Sequence, residues 1–187
     1  MAFGWSRMSA RCHRFGCQLF IIGALTGSLA PQRAPELPSA IRAQLSAEYP
    51  GWRFAKILPA LRYELVADPT RRRSEEWVTA DFNGDRRPDY AVQIVRAGAR
   101  DSAQVVIAFL ATGGRFRSSV VQVGGEHLGT ILTTSTRGAR VRDFDKDEMG
   151  DSTFVLANDA IVLLYNEGAA ATCMYERAAW RCVVSAD

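Results

Sequence analysis

Short apolar segments separated by turn residues run through most of the chain, and they constrain its fold more than any other feature. The segments are rich in β-branched and aromatic residues, and Gly-Gly, Asn-Asp and Asp-Pro steps separate several of them. The candidate strands are WRFAKIL, YELVA, EWVTADF, DYAVQIV, AQVVIAFL, FRSSVVQV, GTILTT, STFVLA, AIVLLYN, ATCMYE and WRCVVS. Their spacing predicts an antiparallel meander.

One amphipathic helix is predicted ahead of the strands. Ser39 is a suitable N-cap, and apolar residues recur every four positions after it as far as Tyr49. A Pro-Gly step ends this pattern. The helix is therefore predicted over residues 39–50, after a Pro-rich linker at 31–38.

The first thirty residues have the pattern of a signal peptide. Three arginines precede the apolar run CQLFIIGALTGSLA, which is short for a membrane span and ends in small residues. This predicts a periplasmic or secreted product, in which residues 1–30 are removed and residues 31–187 form a single domain without a membrane span. A retained N-terminal anchor is the alternative.

The distribution of charge argues against a nucleic-acid partner. Three of the 23 Lys and Arg residues lie in the first thirty positions, together with none of the 20 Asp and Glu residues, so the rest of the chain is electrically balanced. Nucleic-acid binding usually needs an excess of basic side chains. A monomer or weak oligomer with an unidentified protein or glycan partner is expected.

Two cysteines remain beyond the predicted signal peptide, Cys173 and Cys182. An even number of cysteines in an oxidising compartment predicts a disulfide. A turn centred between Arg177 and Ala178 places the two cysteines opposite each other in a terminal hairpin, at a Cα separation that a disulfide can span. Two reduced, buried cysteines are the alternative.

An acidic segment, ADFNGDRRPDYAV at residues 80–92, directly precedes one of the apolar strands. Carboxylates this close repel one another, so they need a cation, backbone N–H donors or solvent. A similar segment, VRDFDKDEMGDSTFVLA at residues 141–157, is also followed by strands and a hairpin. The likeness predicts an internal repeat with copies at 77–120 and 139–184.

The segment DFNGDRRPDYAV resembles the calcium loop and following strand of the FG-GAP or VCBS repeats of extracellular β-propellers, whose usual form is D-x-[DN]-x-D-G-x-x-D. FLATGGRF resembles the hairpin that closes such a repeat. The resemblance implies weak calcium binding by side chains at the first, third, fifth and ninth places and by a backbone carbonyl at the seventh. These residues are Asp81, Asn83, Asp85 and Asp89 with the carbonyl of Arg87, and in the second copy Asp143, Asp145, Asp147 and Asp151 with the carbonyl of Met149.

The sixth place of both loops departs from the family pattern. Arg86 and Glu148 stand where the family has glycine, which allows a sharp turn. Arg86 and Arg87 also place positive charge beside the first loop, which weakens the binding of a divalent cation. The alternative is a turn in which the acidic side chains accept hydrogen bonds from backbone N–H groups.

Two repeats are too few for a propeller, which needs at least about four blades. We therefore expect an α+β fold, with the N-terminal helix packed on a mainly antiparallel sheet that is built from the two FG-GAP-like repeats and is not closed into a propeller. A pair of blades that completes itself by oligomerisation is the alternative.

Catalytic chemistry has little support in the sequence. His127, in GGEHLGT, has no nucleophile elbow or metal-ligand spacing beside it. The expected function is that of a non-enzymatic exported domain, with acidic loops stabilised by calcium, that binds an envelope or extracellular protein or glycan. One alternative is a small envelope inhibitor or stress protein acting through GGEHLGT. Another is a hydrolase that uses His127.

Overall fold

The computed structural model describes residues 36–56, 76–99, 104–123, 131–144, 152–165 and 169–185. Residues 36–187 belong to one compact unit. The described residues contain one helix, α1 (Ser39–Glu48), and eleven strands. The strands are β1 (Arg53–Phe54), β2 (Trp77–Ala80), β3 (Asp89–Val95), β4 (Gln104–Thr112), β5 (Arg115–Val123), β6 (Ile131–Ser135), β7 (Arg140–Arg142), β8 (Thr153–Val155), β9 (Ala160–Leu164), β10 (Ala170–Glu176) and β11 (Ala179–Val184).

Some of the sequence predictions concern parts of the chain that the structure does not describe. The predicted signal peptide and the candidate strand YELVA lie outside the described residues. Within the described part, no helix has the length and apolar character that a membrane span needs.

The first sheet contains β1 to β5, all antiparallel to their neighbours. Strand β3 pairs with β4, and β4 pairs with β5, while β1 and β2 pair with successive parts of the other edge of β3. Buried side chains of β4 alternate between two clusters, with Ile107 and Phe109 in one and Ala108 and Leu110 in the other. Both faces of this sheet are therefore apolar and need to be covered.

The second sheet has the strand order β6–β9–β10–β11 and is also antiparallel. It packs against the first sheet. Leu132, Ile161 and Leu163 of the second sheet form one core cluster with Phe82 and Leu110. Strands β7 and β8, which lie between β6 and β9 in the chain, form a two-stranded sheet of their own.

Two smaller layers lie on the outer faces of the two sheets. Helix α1 packs on the first sheet, because its fully buried Ile41 and Leu45 share a cluster with Ile107. The β7–β8 hairpin packs on the second sheet, where Val141 shares a cluster with Met174. The order of layers is helix, first sheet, second sheet and hairpin.

The fold is all-β, and the predicted α+β class is wrong. The strands form two stacked sheets and a hairpin, whereas we expected one mainly antiparallel sheet under a helix. The physical reason lies in β4, which is buried from Gln104 to Leu110 and so presents apolar side chains to both sides. A helix of ten residues covers only one of these sides, and a second sheet covers the other. The described strands do not close into a barrel.

The bounds of α1 differ slightly from the prediction. Ser39 is the first helical residue, Pro38 occupies the N-cap, and the cap makes no side-chain hydrogen bond. The helix ends at Glu48 because Tyr49, with φ −133° and ψ 69°, leaves the helical conformation. Its last turn is held to the first sheet by a hydrogen bond from the Ser118 hydroxyl to the Glu48 carboxylate, at 2.9 Å.

The terminal hairpin of β10 and β11 has the register predicted from the sequence. Cys173 lies opposite Cys182, and their Sγ atoms are 2.07 Å apart in a disulfide. The turn between the strands consists of Arg177 and Ala178, with φ +50° and +66°. A two-residue turn with both φ values positive matches the twist of the strands, but this conformation disfavours residues other than glycine, asparagine and aspartate.

Replacing Arg177 by Asn and Ala178 by Gly together should raise the free energy of unfolding by about 1–2 kcal/mol, because the new residues adopt positive φ at lower cost. Gly114→Ala in the β4–β5 turn, where φ is +83°, is the matched control and should lower it by about 1 kcal/mol. Urea denaturation measures both effects. Changes of the same sign in the two turns would contradict this account.

Candidate functional site

The first acidic segment closes the hairpin between β2 and β3. Ala80, the last residue of β2, pairs with Asp89, the first residue of β3, and residues 81–88 form the loop between them. The loop itself carries the other predicted ligand side chains, Asp81, Asn83 and Asp85.

Asp89 is fully buried and accepts three backbone hydrogen bonds. Its Oδ2 accepts the N–H groups of Phe82 at 2.9 Å and Asn83 at 3.2 Å, and its Oδ1 accepts the N–H of Ala111 at 2.7 Å. Because Ala111 lies near the end of β4, this carboxylate joins the loop to the neighbouring strand. Burial raises the pKa of Asp89 from 3.8 to about 6, although the three hydrogen bonds act in the opposite direction.

Asp81 fixes the turn of the loop. Its two carboxylate oxygens accept the N–H groups of Gly84 and Arg86, both at 2.8 Å. Arg86 has φ +64°, the left-handed conformation that glycine adopts most easily. The loop therefore makes its sharp turn at the sixth place even though an arginine stands there.

Two smaller turns follow the same pattern. Asn83 Oδ1 accepts the N–H of Asp85, and Asp85 Oδ1 accepts the N–H of Arg87, each at 2.9 Å. These hydrogen bonds are the backbone caps of the alternative interpretation. Among the residues that the structure describes, no three His, Cys, Asp or Glu side chains are grouped as metal ligands. Calcium binding by the first loop stays a prediction, since each capped oxygen keeps a second acceptor position.

Asp159 ties this loop to the second sheet, and sequence reasoning missed it. Its Oδ2 accepts the N–H of Asp81 at 3.1 Å, and its Oδ1 accepts the N–H of Arg137 at 2.8 Å. The N–H of Asp159 also donates to the carbonyl of Asp81 at 3.2 Å. The Asn-Asp step before the strand AIVLL signals a turn, but nothing in the sequence relates it to a loop 78 residues earlier.

Gly84 permits the close approach of the two segments. Its φ is +80°, and a Cβ atom at this position would lie 2.5 Å from Oδ1 of Asn158. A larger residue would have to displace the side chain of Asn158 and would be strained at this positive φ.

The second acidic segment lies in a different part of the fold from the first. It leads from β7 to β8, which pair with each other in a separate sheet. Asp143 at its start is buried, and its Oδ2 lies 3.6 Å from the guanidinium of Arg181. The remaining predicted ligands of this copy lie outside the described residues: Asp145, Asp147, Met149 and Asp151.

Strand order identifies a different correspondence between the two sheets. The order β6–β9–β10–β11 repeats the order β2–β3–β4–β5, so β9 corresponds to β3. Asp159 precedes β9 as Asp89 begins β3. Asp159 accepts the N–H of Arg137, the second residue after β6, and Asp89 accepts the N–H of Phe82, the second residue after β2. The predicted alignment of the copies, which pairs the two acidic segments, differs from this correspondence, because the β7–β8 hairpin is inserted between β6 and β9.

A polar pocket lies beside β7 on the outer face of the second sheet, with a volume of about 250 Å³. We call it the outer pocket. Two arginines, Arg140 and Arg142, line it together with an apolar floor at Val162. Residues with hydroxyl groups also line it: Thr133, Thr134, Ser135, Thr172 and Ser185.

Strand register places part of this lining in one row. Thr133 lies opposite Val162 across β6 and β9, and Val162 lies opposite Thr172 across β9 and β10. Thr172 Oγ1 lies 2.7 Å from the hydroxyl of Ser185. Thr133 is 4% exposed, and its Oγ1 has no hydrogen-bond partner in the described part of the chain. A buried hydroxyl of this kind is left for a ligand or a water molecule to satisfy.

Two further predictions, hydrolysis by His127 and inhibition through the loop at 124–130, concern residues outside the described part of the chain.

Comparison of the chain with protein-family models, with characterised proteins and with solved structures found no match. The structure thus defines a domain of two stacked antiparallel sheets. The acidic loop at residues 81–88 is hydrogen-bonded to Asp159, in the turn between β8 and β9, and the outer pocket lies on the outer face of the second sheet.

The buried carboxylate of Asp89 should make stability depend on pH. Its folded pKa of about 6 exceeds the unfolded value of 3.8, so its contribution to stability is present at low pH and is lost as the pH rises through 6. The difference in the free energy of unfolding, wild type minus Asp89→Asn, should therefore be about 2 kcal/mol larger at pH 4 than at pH 7.

Urea denaturation at the two pH values measures this difference. Asp89→Ala leaves three backbone N–H groups without an acceptor and should cost at least about 2 kcal/mol at pH 7. Asp85→Asn, which alters one exposed cap in the same loop, is the control and should cost less than about 1 kcal/mol. If the free energies of unfolding of the wild type and Asp89→Asn differ by the same amount at both pH values, the pKa of Asp89 is not raised in the folded state.

Proposed function

We propose that the chain is an exported, non-enzymatic binding domain that holds its ligand in the outer pocket. The observation that carries this proposal is the lining of the pocket, where residues that carry hydroxyl and guanidinium groups surround one cavity. Such groups form hydrogen bonds to oxygen atoms of polar ligands. Of the two partner classes expected from the sequence, a protein or a glycan, this lining favours the glycan.

The same lining supports binding over catalysis. A serine or threonine hydroxyl becomes a nucleophile when a nearby base takes its proton. Among the described residues that line the pocket, there is no histidine, aspartate or glutamate to serve as that base. The described groups of the pocket are thus suited to hold and orient a ligand.

Two features support export. Residues 1–30 have the pattern of a signal peptide. The disulfide between Cys173 and Cys182 is of a kind that persists in oxidising compartments. Together they favour a periplasmic or secreted location.

Weak calcium binding by the first acidic loop is part of the proposal. Asp81, Asn83 and Asp85 stand at alternate positions of a loop that already makes the required turn at Arg86. A calcium ion would relieve the repulsion between these carboxylates and would strengthen the link to the second sheet through Asp159. The ion would have a structural role.

Calcium at several millimolar should raise the melting temperature relative to chelator, because it binds the folded state. Asp85→Ala should remove most of this gain, since it deletes a ligand and a carboxylate. Arg86→Gly should increase the gain, because a charge that repels the cation is lost. Identical melting curves in chelator and calcium, with no heat of binding in calorimetry, would show that the acids act only as backbone caps.

The outer pocket can be tested by filling it. Val162→Phe places a larger side chain on its floor, and Val120→Phe, at a 42% exposed position of β5, is the matched control. Glycan arrays and a thermal-shift panel of neutral, acidic and phosphorylated small molecules should find at least one ligand for the wild type and the control. Val162→Phe should lose it. A wild type that binds nothing, or a ligand that Val162→Phe retains, would overturn the proposed function.

A further inference from the structure

We infer that the outer pocket binds a monosaccharide-sized ligand that carries one anionic oxygen group, such as a uronic acid or a sugar phosphate. This inference rests on the proposed binding function and specifies its ligand. A volume of about 250 Å³ lies just below the usual range for drug-sized ligands and suits a single sugar ring.

The arginines supply the recognition of negative charge. Arg140 and Arg142 lie on the same strand two positions apart, and both line the pocket. The guanidinium of Arg142 lies over the ring of Phe144, with 4.8 Å from Cζ to the ring centroid, which restrains it. The side chain of Arg140 has no hydrogen bond or ion pair within the described part of the chain, so it is available to a ligand. Guanidinium groups pair with carboxylates and phosphates through two parallel hydrogen bonds.

The hydroxyl groups supply the recognition of a sugar. Thr133 has a buried Oγ1 without a partner, and the pair formed by Thr172 and Ser185 lies on the other side of Val162. Each hydroxyl both donates and accepts, as the hydroxyl groups of a sugar do. Between them, the apolar side chain of Val162 offers a surface to the C–H groups of a sugar ring. A simple inorganic anion would leave Thr133 and this surface unused.

Thr133 makes a specific test possible. Thr133→Val keeps the shape of the side chain and removes a buried hydroxyl that lacks a partner in the free protein. The variant should therefore melt at the same temperature as the wild type or higher, because an unsatisfied buried group costs stability. Its affinity for the ligand should nevertheless fall at least about fivefold, because one hydrogen bond is lost.

The experiment is isothermal titration calorimetry of the purified protein with glucuronate, glucose 6-phosphate and glucose. Glucuronate or glucose 6-phosphate should bind at least about tenfold more tightly than glucose, and Arg140→Gln should abolish this preference. Arg115→Gln, at an exposed position at the start of β5, is the control and should bind as the wild type does. Comparison of the two anionic sugars identifies whether the group recognised is a carboxylate or a phosphate.

Three outcomes would overturn the inference. They are equal binding of glucose and both anionic sugars, binding that Arg140→Gln leaves unchanged, and an affinity that Thr133→Val leaves unchanged. The absence of binding by all three sugars would also overturn it, while a ligand of another class in the thermal-shift panel would leave the proposed function intact.

Discussion

Strands β3 and β4 carry apolar side chains on both faces, and a sheet of this kind has to be covered twice. The layers of the molecule follow from that requirement. Helix α1 covers one face of the first sheet, and the second sheet covers the other. The second sheet then has an outer face of its own, which the β7–β8 hairpin covers in part. The uncovered part, beside β7, is the outer pocket.

The parts of the fold that were predictable from the sequence are the local ones. The helix follows from the spacing of Ile41 and Leu45, and the register of the last hairpin follows from a turn of two residues between β10 and β11. The division into two sheets was not predictable, because the apolar run of β4 shows that both of its faces are buried without showing what covers them. The helix has only ten residues and covers one face, so it does not define the fold class.

The candidate site was predicted only in part for a similar reason. The sequence indicates that Asp81 and Asp89 share a loop, and two interpretations, a cation or backbone caps, were open. The structure shows the caps, and it adds Asp159, whose hydrogen bond spans 78 residues. The outer pocket left no sequence signal, since threonine and arginine on short strands are ordinary β-strand residues whose neighbours across the sheet are set by register. The acidic side chains of the loop accept hydrogen bonds from backbone N–H groups, while the charged residues that line the pocket are arginines.

The inserted hairpin also has a consequence for the order in which the chain folds. Most strand pairs in the two sheets join segments that are neighbours in the chain, as in β2 with β3, β4 with β5, and β10 with β11. Pairs of this kind form early because their loops are short. Strands β6 and β9 are one of two exceptions among the described strands, because the whole β7–β8 hairpin lies between them; the other is β1 with β3. Closure of that hairpin shortens the effective connection between β6 and β9 and so lowers the entropic cost of pairing these two strands.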